Sequence, residues 1–324
     1  MYSGTSHTLT TPGTFIPDVL EGLRGYPKRL PSKYFYDAKG DLLFQQIMRC
    51  PEYYLSRSEH AILSSQSAAI TAELKTRSPT FEVAELGPGD ASKSIFLLRA
   101  LAAVDALGSY VPIDISAHVI ATLRGSMARE FPGIHVHGIT GDYLTALSQS
   151  PRSPEITRLI LLLGANIGNF TPEEAKHFLR RLRALSMPGD ALLIGIDVKK
   201  HPAIILSAYN DREGLTKAFN FNLLARINRE AGAGFELDQF DHYPTYDPET
   251  GTCKSFLVAL KDMKVPVAGE IIRLREGESI LTEVSQKYSL RAIDHLARES
   301  GFEPVAQYFD EKKWFVDCLW KVPD

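Results

Sequence analysis

The chain has 324 residues, of which 44% are hydrophobic and 23% charged, and its formal net charge at pH 7 is −3. These values are ordinary for a globular protein and leave room for one large domain and a smaller one. A nearly balanced charge without any run of Lys and Arg argues against nucleic acid or anionic membranes as partners. The three cysteines, Cys50, Cys253 and Cys318, form no CxxC pair, which favours a reducing compartment.

The first residues lack the basic start and apolar run of a secretory signal, and no stretch reaches the roughly 18–20 apolar residues that span a bilayer. We therefore expect a cytoplasmic protein, and a monomer is our working hypothesis. Residues 1–12 are rich in Ser, Thr and Gly and predict a flexible N-terminus.

Apolar residues at helical spacing predict helices through much of residues 15–75. From residue 81, short apolar runs alternate with helical stretches near residues 92–103, 117–130 and 171–185. These runs are FEVAEL, SYVPIDI, IHVHGI, RLILLL and ALLIGIDV. Buried runs of β-branched residues separated by helices indicate a parallel sheet covered on both faces.

The alternation stops after Asp197, where two helical stretches and apparent strands near 252–260 and 269–274 follow. A helix at 289–300 and the strands EPVAQYFD and KWFVDCLW close the chain, and we expect the last two to form an antiparallel edge of the sheet. The sequence therefore predicts an α/β domain made of residues 61–199 and 287–324. Residues 13–60 and 200–286 are assigned to a second domain, part of which interrupts the first.

A glycine turn follows the first strand of this sheet, in Glu85-Leu86-Gly87-Pro88-Gly89-Asp90. Glycines allow a sharp turn and let a ligand approach the backbone amides. The second strand ends at Asp114, whose carboxylate can accept hydrogen bonds from both hydroxyls of a ribose. The third glycine of GxGxxG is replaced by Ser92, which disfavours a dinucleotide and favours a nucleoside cofactor without a pyrophosphate, such as S-adenosylmethionine.

Two further strand ends carry polar residues that extend the same pocket. Asp142 and Tyr143 follow the third strand and offer a polar acceptor and a flat ring to an adenine. The segment Gly164-Ala165-Asn166-Ile167-Gly168-Asn169 follows the fourth. Ligands of open α/β sheets bind outside the carboxyl ends of the strands, so we expect these ends to form one site.

At this point the chain resembles a known family, the amino-acid N-methyltransferases typified by the histidine Nα-methyltransferase of ergothioneine biosynthesis. The similar segments run in family order from about residue 15 to the C-terminus. They are KYFYDAKG at 33–40, PEYYLSR at 51–57, ELG at 85–87, IGN at 167–169, FN at 219–220, INRE at 227–230 and TEVSQKY at 282–288. The resemblance implies a class I methyltransferase (Rossmann-like) fold with a seven-stranded sheet and an inserted α+β substrate-binding domain. In this family the insertion and the N-terminal helices form a lid.

The resemblance also implies site residues, position by position. Positions that hold S-adenosylmethionine correspond to Gly87, Gly89, Lys93, Asp114, Asp142 and Tyr143. Positions that bind the α-amino and carboxylate groups correspond to Asn169 and Tyr209, and those around the imidazole ring to Tyr53, Glu283 and Ser285. Tyr36 corresponds to a tyrosine near the transferred methyl group, so Tyr36 and Asn169 are the implied catalytic residues.

Two positions depart from the family pattern: the cofactor loop is Gly-Pro-Gly-Asp rather than Gly-Ser-Gly-Thr, and Ser255 stands where an apolar residue, often Met, is usual. The resemblance implies that L-histidine receives up to three methyl groups on its α-nitrogen, giving hercynine.

Three alternatives stay open: a different amino acid such as a tryptophan derivative, a non-catalytic nucleotide-binding relative, and, more distantly, a nicotinamide dehydrogenase. Glu283 favours histidine, because a carboxylate forms a charge-assisted hydrogen bond with an imidazole N–H. The histidines show no metal-ligand spacing, so no metal is predicted.

Overall fold

A computed structural model describes residues 14–150, 152 and 155–323. The predicted flexible segment 1–12 lies outside the described residues. The α-helices are α1 (Phe15–Arg24), α2 (Ala38–Arg49), α3 (Tyr54–Lys75), α4 (Ser94–Ala102), α5 (Ala117–Glu130), α6 (Tyr143–Gln149), α7 (Pro172–Ala184), α8 (Pro202–Ala208), α9 (Leu215–Ala231) and α10 (Leu290–Glu299). Short 3₁₀ turns cover Ser32–Phe35, Asn166–Asn169 and Leu237–Gln239.

The strands are β1 (Lys28–Arg29), β2 (Phe81–Leu86), β3 (Leu107–Asp114), β4 (His135–Val136), β5 (Ile139–Thr140), β6 (Thr157–Leu162), β7 (Ala191–Asp197), β8 (Phe240–Asp247), β9 (Thr252–Ala259), β10 (Met263–Val267), β11 (Glu270–Leu274), β12 (Ser279–Gln286), β13 (Glu303–Phe309) and β14 (Phe315–Lys321). The chain forms two compact units. The large-sheet unit contains Leu55–Val198 and the chain from Tyr288, and the small-sheet unit contains Lys199–Lys287 and the segment that ends at Tyr54.

The large-sheet unit is built on an eight-stranded sheet in the order β13-β14-β7-β6-β2-β3-β4, with β5 also paired to β3. Strands β3, β2, β6 and β7 run parallel, and β14 is antiparallel to both of its neighbours. The expected antiparallel edge is thus confirmed: β13 and β14 end the sheet, with β13 outermost and β14 joining it to β7. The burial explains this order, because β14 is buried along almost its whole length and β13 only partly.

The third predicted strand, IHVHGI, is divided into the two short pieces β4 and β5, which pair with different parts of β3. The chain between them passes Gly138, where an added Cβ would press on the side chain of Ile120. A strand predicted as one element therefore counts as two, and the sheet has eight strands where the sequence predicted seven.

Helices cover both faces of this sheet because its central strands are apolar on both sides. Alternate residues of β7, for example, enter different cores: Leu192 and Ile194 pack with α6, α7 and α10, whereas Ala191 and Leu193 pack with α3, α4 and α5. Side chains of a strand alternate between the two faces, so a continuous apolar run is what a doubly covered strand requires.

The small-sheet unit holds a four-stranded sheet in the order β1-β12-β9-β8 and a separate hairpin of β10 and β11. In its core, apolar side chains of α1, α2 and α9 pack against these strands. Strand β8 was not predicted, since Pro244 interrupts its pattern. Proline is tolerated there because β8 lies at the edge of the sheet, where one side of the strand needs no hydrogen-bond donors. In the described part of the chain, no helix combines the length and the apolar character needed to cross a bilayer.

Candidate active site

The turn between β2 and α4 depends on its glycines. Gly87 and Gly89 have φ angles of +72° and +57°, which favour glycine. A Cβ on Gly87 would overlap the Tyr143 hydroxyl and lie 3.2 Å from Asn166 Nδ2, whereas a Cβ on Gly89 would meet no atom within 4 Å. The turn therefore packs against two neighbouring strand ends at Gly87 and faces open space at Gly89.

Asp114 and Asp142 lie at the ends of adjacent strands, and each has one oxygen engaged by the local backbone. Asp114 Oδ1 accepts from the Ser116 amide at 2.8 Å, and Asp142 Oδ1 accepts from the amide and hydroxyl of Thr145 at 2.9 and 2.8 Å. Asp142 Oδ2 is buried and has no hydrogen-bond partner among the described residues. Burial, and then the charges of these two carboxylates, raise the pKa of the Tyr143 hydroxyl.

A buried polar acceptor without a partner needs a donor to offset its desolvation. The 6-amino group of an adenine has the chemistry of such a donor, the flat ring of Tyr143 belongs to the next residue, and a carboxylate such as that of Asp114 can accept from ribose hydroxyls. These residues fit S-adenosylmethionine.

A buried acidic group lies behind this turn and was not predicted. Glu59 of α3 is fully buried, forms an ion pair with Lys93, and accepts the Gly164 amide at 2.7 and 2.9 Å. Burial disfavours the Lys93 ammonium, but the Glu59 carboxylate outweighs it and raises the pKa of Lys93. Burial raises the pKa of Glu85 to about 7, although the Tyr110 hydroxyl donates to it at 2.6 Å. The acidic residues inside the apolar run FEVAEL were the one signal for Glu85, and there was none for Glu59.

In the small-sheet unit, Tyr209 and Ser285 contact Lys287, which was not predicted as a site residue from the sequence. The ammonium of Lys287 donates to the hydroxyls of Tyr209 and Ser285, each at 2.7 Å, and Tyr209 donates to Ser285 at 2.6 Å. Lys287 is fully buried, with its ammonium 4.7 Å from the centre of the Tyr209 ring. The alternation Glu283, Ser285, Lys287 was the available signal, because residues two apart on a strand share a face.

Glu283 lies beside this network, partly buried, and accepts from the fully buried Ser255 hydroxyl at 3.2 Å. Burial raises the pKa of Glu283 to about 6, against the opposing charge of Lys287 and the Ser255 hydrogen bond. Ser255, the departure from the family pattern, thus gives this carboxylate a donor that an apolar residue could not provide. Burial, followed by the influence of Tyr209, Tyr36 and Glu283, raises the pKa of Tyr53 well above its ordinary value.

Aromatic rings complete the surroundings of these polar groups. Tyr36 is 40% exposed at the end of its 3₁₀ turn and packs edge-on against Phe44 and Phe219, at 5.6 and 5.8 Å between ring centres. Tyr53 also packs edge-on against Phe44, at 6.2 Å between ring centres. Tyr36, Tyr53, Tyr209, Glu283 and Ser285 all belong to the small-sheet unit.

The remaining candidates belong to the large-sheet unit: Gly87, Gly89, Lys93, Asp114, Asp142 and Tyr143, together with Asn169. Asn169 is exposed at the end of the 3₁₀ turn that follows β6. Among the described residues, no group of three or more His, Cys, Asp and Glu side chains is arranged to hold a metal ion.

The strand order, the glycine turn and the two acidic strand ends fit a Rossmann-like domain for a nucleoside cofactor, and a family match gives the class, an S-adenosylmethionine-dependent methyltransferase. The family model described as "Histidine-specific methyltransferase, SAM-dependent" matches residues 15–322. The chain belongs to that family.

Curated relatives agree with this assignment. The chain is 36% identical to the histidine N-alpha-methyltransferase of Mycobacterium tuberculosis, covering 91% of this chain and 90% of the relative. It is 38% identical to the enzyme of the same name from Mycolicibacterium smegmatis, covering 90% of each chain. A 4-dimethylallyltryptophan N-methyltransferase of Epichloe festucae var. lolii is 26% identical, again over 90% of each chain.

Proposed function

We propose that this protein transfers methyl groups from S-adenosylmethionine to the α-nitrogen of L-histidine, up to three in succession, so that the final product is hercynine. The observation that carries the choice of histidine is the polar face of β12. There, a carboxylate acceptor and a hydroxyl stand two residues apart among aromatic rings, at Glu283 and Ser285. An imidazole can engage both groups, since it has two nitrogens, whereas an indole has a single N–H and no acceptor nitrogen.

S-adenosylmethionine, when bound, supplies an activated methyl group on a positively charged sulfur. The residues proposed to hold it are Asp114 at the ribose, Asp142 and Tyr143 at the adenine, and the turn at Gly87 and Gly89. Lys93 is proposed to contribute positive charge for the carboxylate of the methionine part.

The substrate nitrogen attacks the methyl carbon in line with the breaking carbon–sulfur bond, whose electron pair leaves with the sulfur. The main task of the protein is alignment, because the positively charged sulfur already activates the methyl group. Asn169 and Tyr209 are proposed to hold the α-amino and carboxylate groups. The attacking amine must first lose a proton, and Tyr36, or water bound to it, is the proposed relay.

Incubation of the protein with methyl-labelled S-adenosylmethionine and each free amino acid tests this function. We expect histidine to gain one, two and then three methyl groups, read as successive mass steps, and histidine methylated once or twice to be accepted as substrate. Methylation of another amino acid with histidine inert would refute the histidine assignment but leave the chemistry intact. Absence of turnover despite cofactor binding would instead favour a non-catalytic relative.

The main competing substrate is 4-dimethylallyltryptophan, because two similar proteins are named as its N-methyltransferases. The pair of Glu283 and Ser285 argues against it, since an indole N–H can satisfy only one of these two groups. We further propose a cytoplasmic monomer with no nucleic acid or membrane partner. Elution volume combined with light scattering tests the oligomeric state.

A further inference from the structure

A fully buried lysine is costly unless its charge is stabilised by neighbouring groups. Lys287 meets this need with the hydroxyl oxygens of Tyr209 and Ser285 and with the face of the Tyr209 ring. Its charge also acts on Glu283, which lies further along the same strand face. Lys287 directly follows the last residue of β12 and extends the polar face that carries Glu283 and Ser285. Its contacts therefore influence which hydrogen bonds that face can offer to a ligand.

The hydrogen bonds of Ser285 fix the direction of its proton. Its oxygen accepts from Lys287 at 2.7 Å and from the Tyr209 hydroxyl at 2.6 Å. A serine oxygen has two lone pairs, and both are used by these bonds. The hydroxyl of Ser285 can then only donate, whereas the ionised carboxylate of Glu283 can only accept.

The charges around this face nearly cancel. Glu283 and Lys287 contribute one negative and one positive charge. Tyr36 and Tyr209 bring hydroxyl groups, and burial raises the pKa of Tyr53 well above its ordinary value, so that Tyr53 is uncharged. On the same face, His242 of β8 is also uncharged, because burial lowers its pKa to about 4. Lys254 is exposed and pairs in register with Val284, so it lies on the opposite face of the sheet.

We propose that Lys287 is a positioning residue that selects the neutral form of the substrate's imidazole ring, by holding Ser285 as a donor beside the acceptor Glu283. This inference rests on the proposed function, in which histidine is the substrate. The neutral ring has one N–H to give to Glu283 and one bare nitrogen to accept from Ser285. The protonated ring has two N–H groups, and the second would face the Ser285 hydroxyl donor and the Lys287 charge.

Nitrogen NMR of histidine labelled at both ring nitrogens tests this inference, because the shifts distinguish an N–H from a bare nitrogen. The protein is saturated with S-adenosylhomocysteine to prevent turnover, and the bound ring is titrated with pH. In the native protein we expect the pKa of the bound ring to fall below that of free histidine. In Lys287→Met we expect it to rise by at least about one unit relative to the native complex, since an opposing charge is lost while Glu283 remains.

Lys287→Arg retains the charge and should keep the ring pKa closer to the native value than Lys287→Met does. The matched control is Lys254→Met, which removes a lysine charge from the other face of the same sheet and should leave the ring pKa unchanged. If Lys287→Met does not fold, the native titration alone still decides, because a native ring pKa at or above that of free histidine overturns the inference. Failure of labelled histidine to bind the native protein at all would instead overturn the proposed function.

Discussion

Each of the two units has a lysine whose ammonium contacts buried groups, and the two units stabilise this charge in different ways. Lys93 is partly buried, and Lys287 is fully buried. In the large-sheet unit, Lys93 pairs directly with the fully buried carboxylate of Glu59. In the small-sheet unit, Lys287 donates to two neutral hydroxyls. A direct ion pair holds a structure in place but makes each partner costly to remove alone, whereas hydroxyls can reorient when the cation is lost. Lys93 therefore anchors the end of β6, through Glu59 and the Gly164 amide. Lys287 instead directs the hydrogen bonds of the Tyr209 and Ser285 hydroxyls.

The largest expected effect comes from breaking the ion pair. Lys93→Met should lower the free energy of unfolding by about 3–5 kcal/mol, because the buried Glu59 carboxylate loses its partner. The double variant Lys93→Met with Glu59→Gln should recover part of this loss, since no unpaired charge remains. Urea unfolding of the single and double variants measures both. Equal stability of Lys93→Met and the native protein would show that the pair contributes little.

A second carboxylate of the same unit should make stability depend on pH. The pKa of Glu85 is raised by burial from 4.5 to about 7, so the folded protein binds this proton more tightly than the unfolded chain does. The stabilisation from this protonated carboxyl group is therefore complete below about pH 4.5 and is lost as the pH rises toward 7. Glu85→Gln should remove this loss and be more stable at pH 8 by roughly 2 kcal/mol.

Chemical unfolding of Glu85→Gln and the native protein at pH 5 and pH 8 checks this expectation. The matched control is Glu82→Gln, on the same strand, where the carboxylate pairs with Arg158 at 2.6 Å. That variant should be less stable at both pH values, because it leaves a buried guanidinium without its charged partner. A native protein equally stable at both pH values would contradict the role given to Glu85.

In the small-sheet unit, removal of a charged side chain should weaken substrate binding rather than lower the free energy of unfolding. Glu283→Ala should raise KM for histidine roughly 10- to 100-fold, since a hydrogen bond to a charged group contributes about 1.5–3 kcal/mol. Binding of S-adenosylmethionine, measured by calorimetry, should stay nearly unchanged. Below about pH 6 the native carboxylate becomes protonated, so histidine affinity should fall there, and Glu283→Gln should lack this component. Equal losses of histidine and cofactor binding would indicate a purely structural role.

The two units also differ in how much of them could be predicted from the sequence. The strand ends at Gly87, Asp114 and Asp142 were predicted because parallel strands have continuous apolar runs, and the polar residue after each run marks its end. Lys287 was missed, although it stands in a quoted motif, because its importance depends on contacts with Tyr209, far away in the sequence. Glu59 was missed for the same reason: a single acidic residue in an amphipathic helix gives no sign that it is fully buried.

Strands were easier to predict from the sequence than the partners with which they pair. The sequence predicted β13 and β14 as an antiparallel edge, but not that β14 pairs with β7, because that place follows from burial that only the assembled sheet provides. Strand β8 was missed because Pro244 contradicts a central strand, and nothing local indicates that this strand lies at an edge. Pairing partners are tertiary information, so a single sequence gives them only where the chain order dictates them.

The smallest expected effect distinguishes two glycines of the same turn. Both Gly87 and Gly89 have positive φ, so alanine at either position should cost about 1 kcal/mol in backbone strain. Only at Gly87 would the new Cβ overlap another group, the hydroxyl of Tyr143. Gly87→Ala should therefore displace this ring and weaken S-adenosylmethionine binding even where the fold survives.

In Gly89→Ala the methyl enters open space, so any loss of cofactor affinity beyond the effect of backbone strain would show that the cofactor itself occupies that space. Thermal unfolding of each variant measures the cost of backbone strain, and calorimetry measures the loss of cofactor affinity. Identical behaviour of the two variants would mean that the Tyr143 ring has no part in the cofactor site.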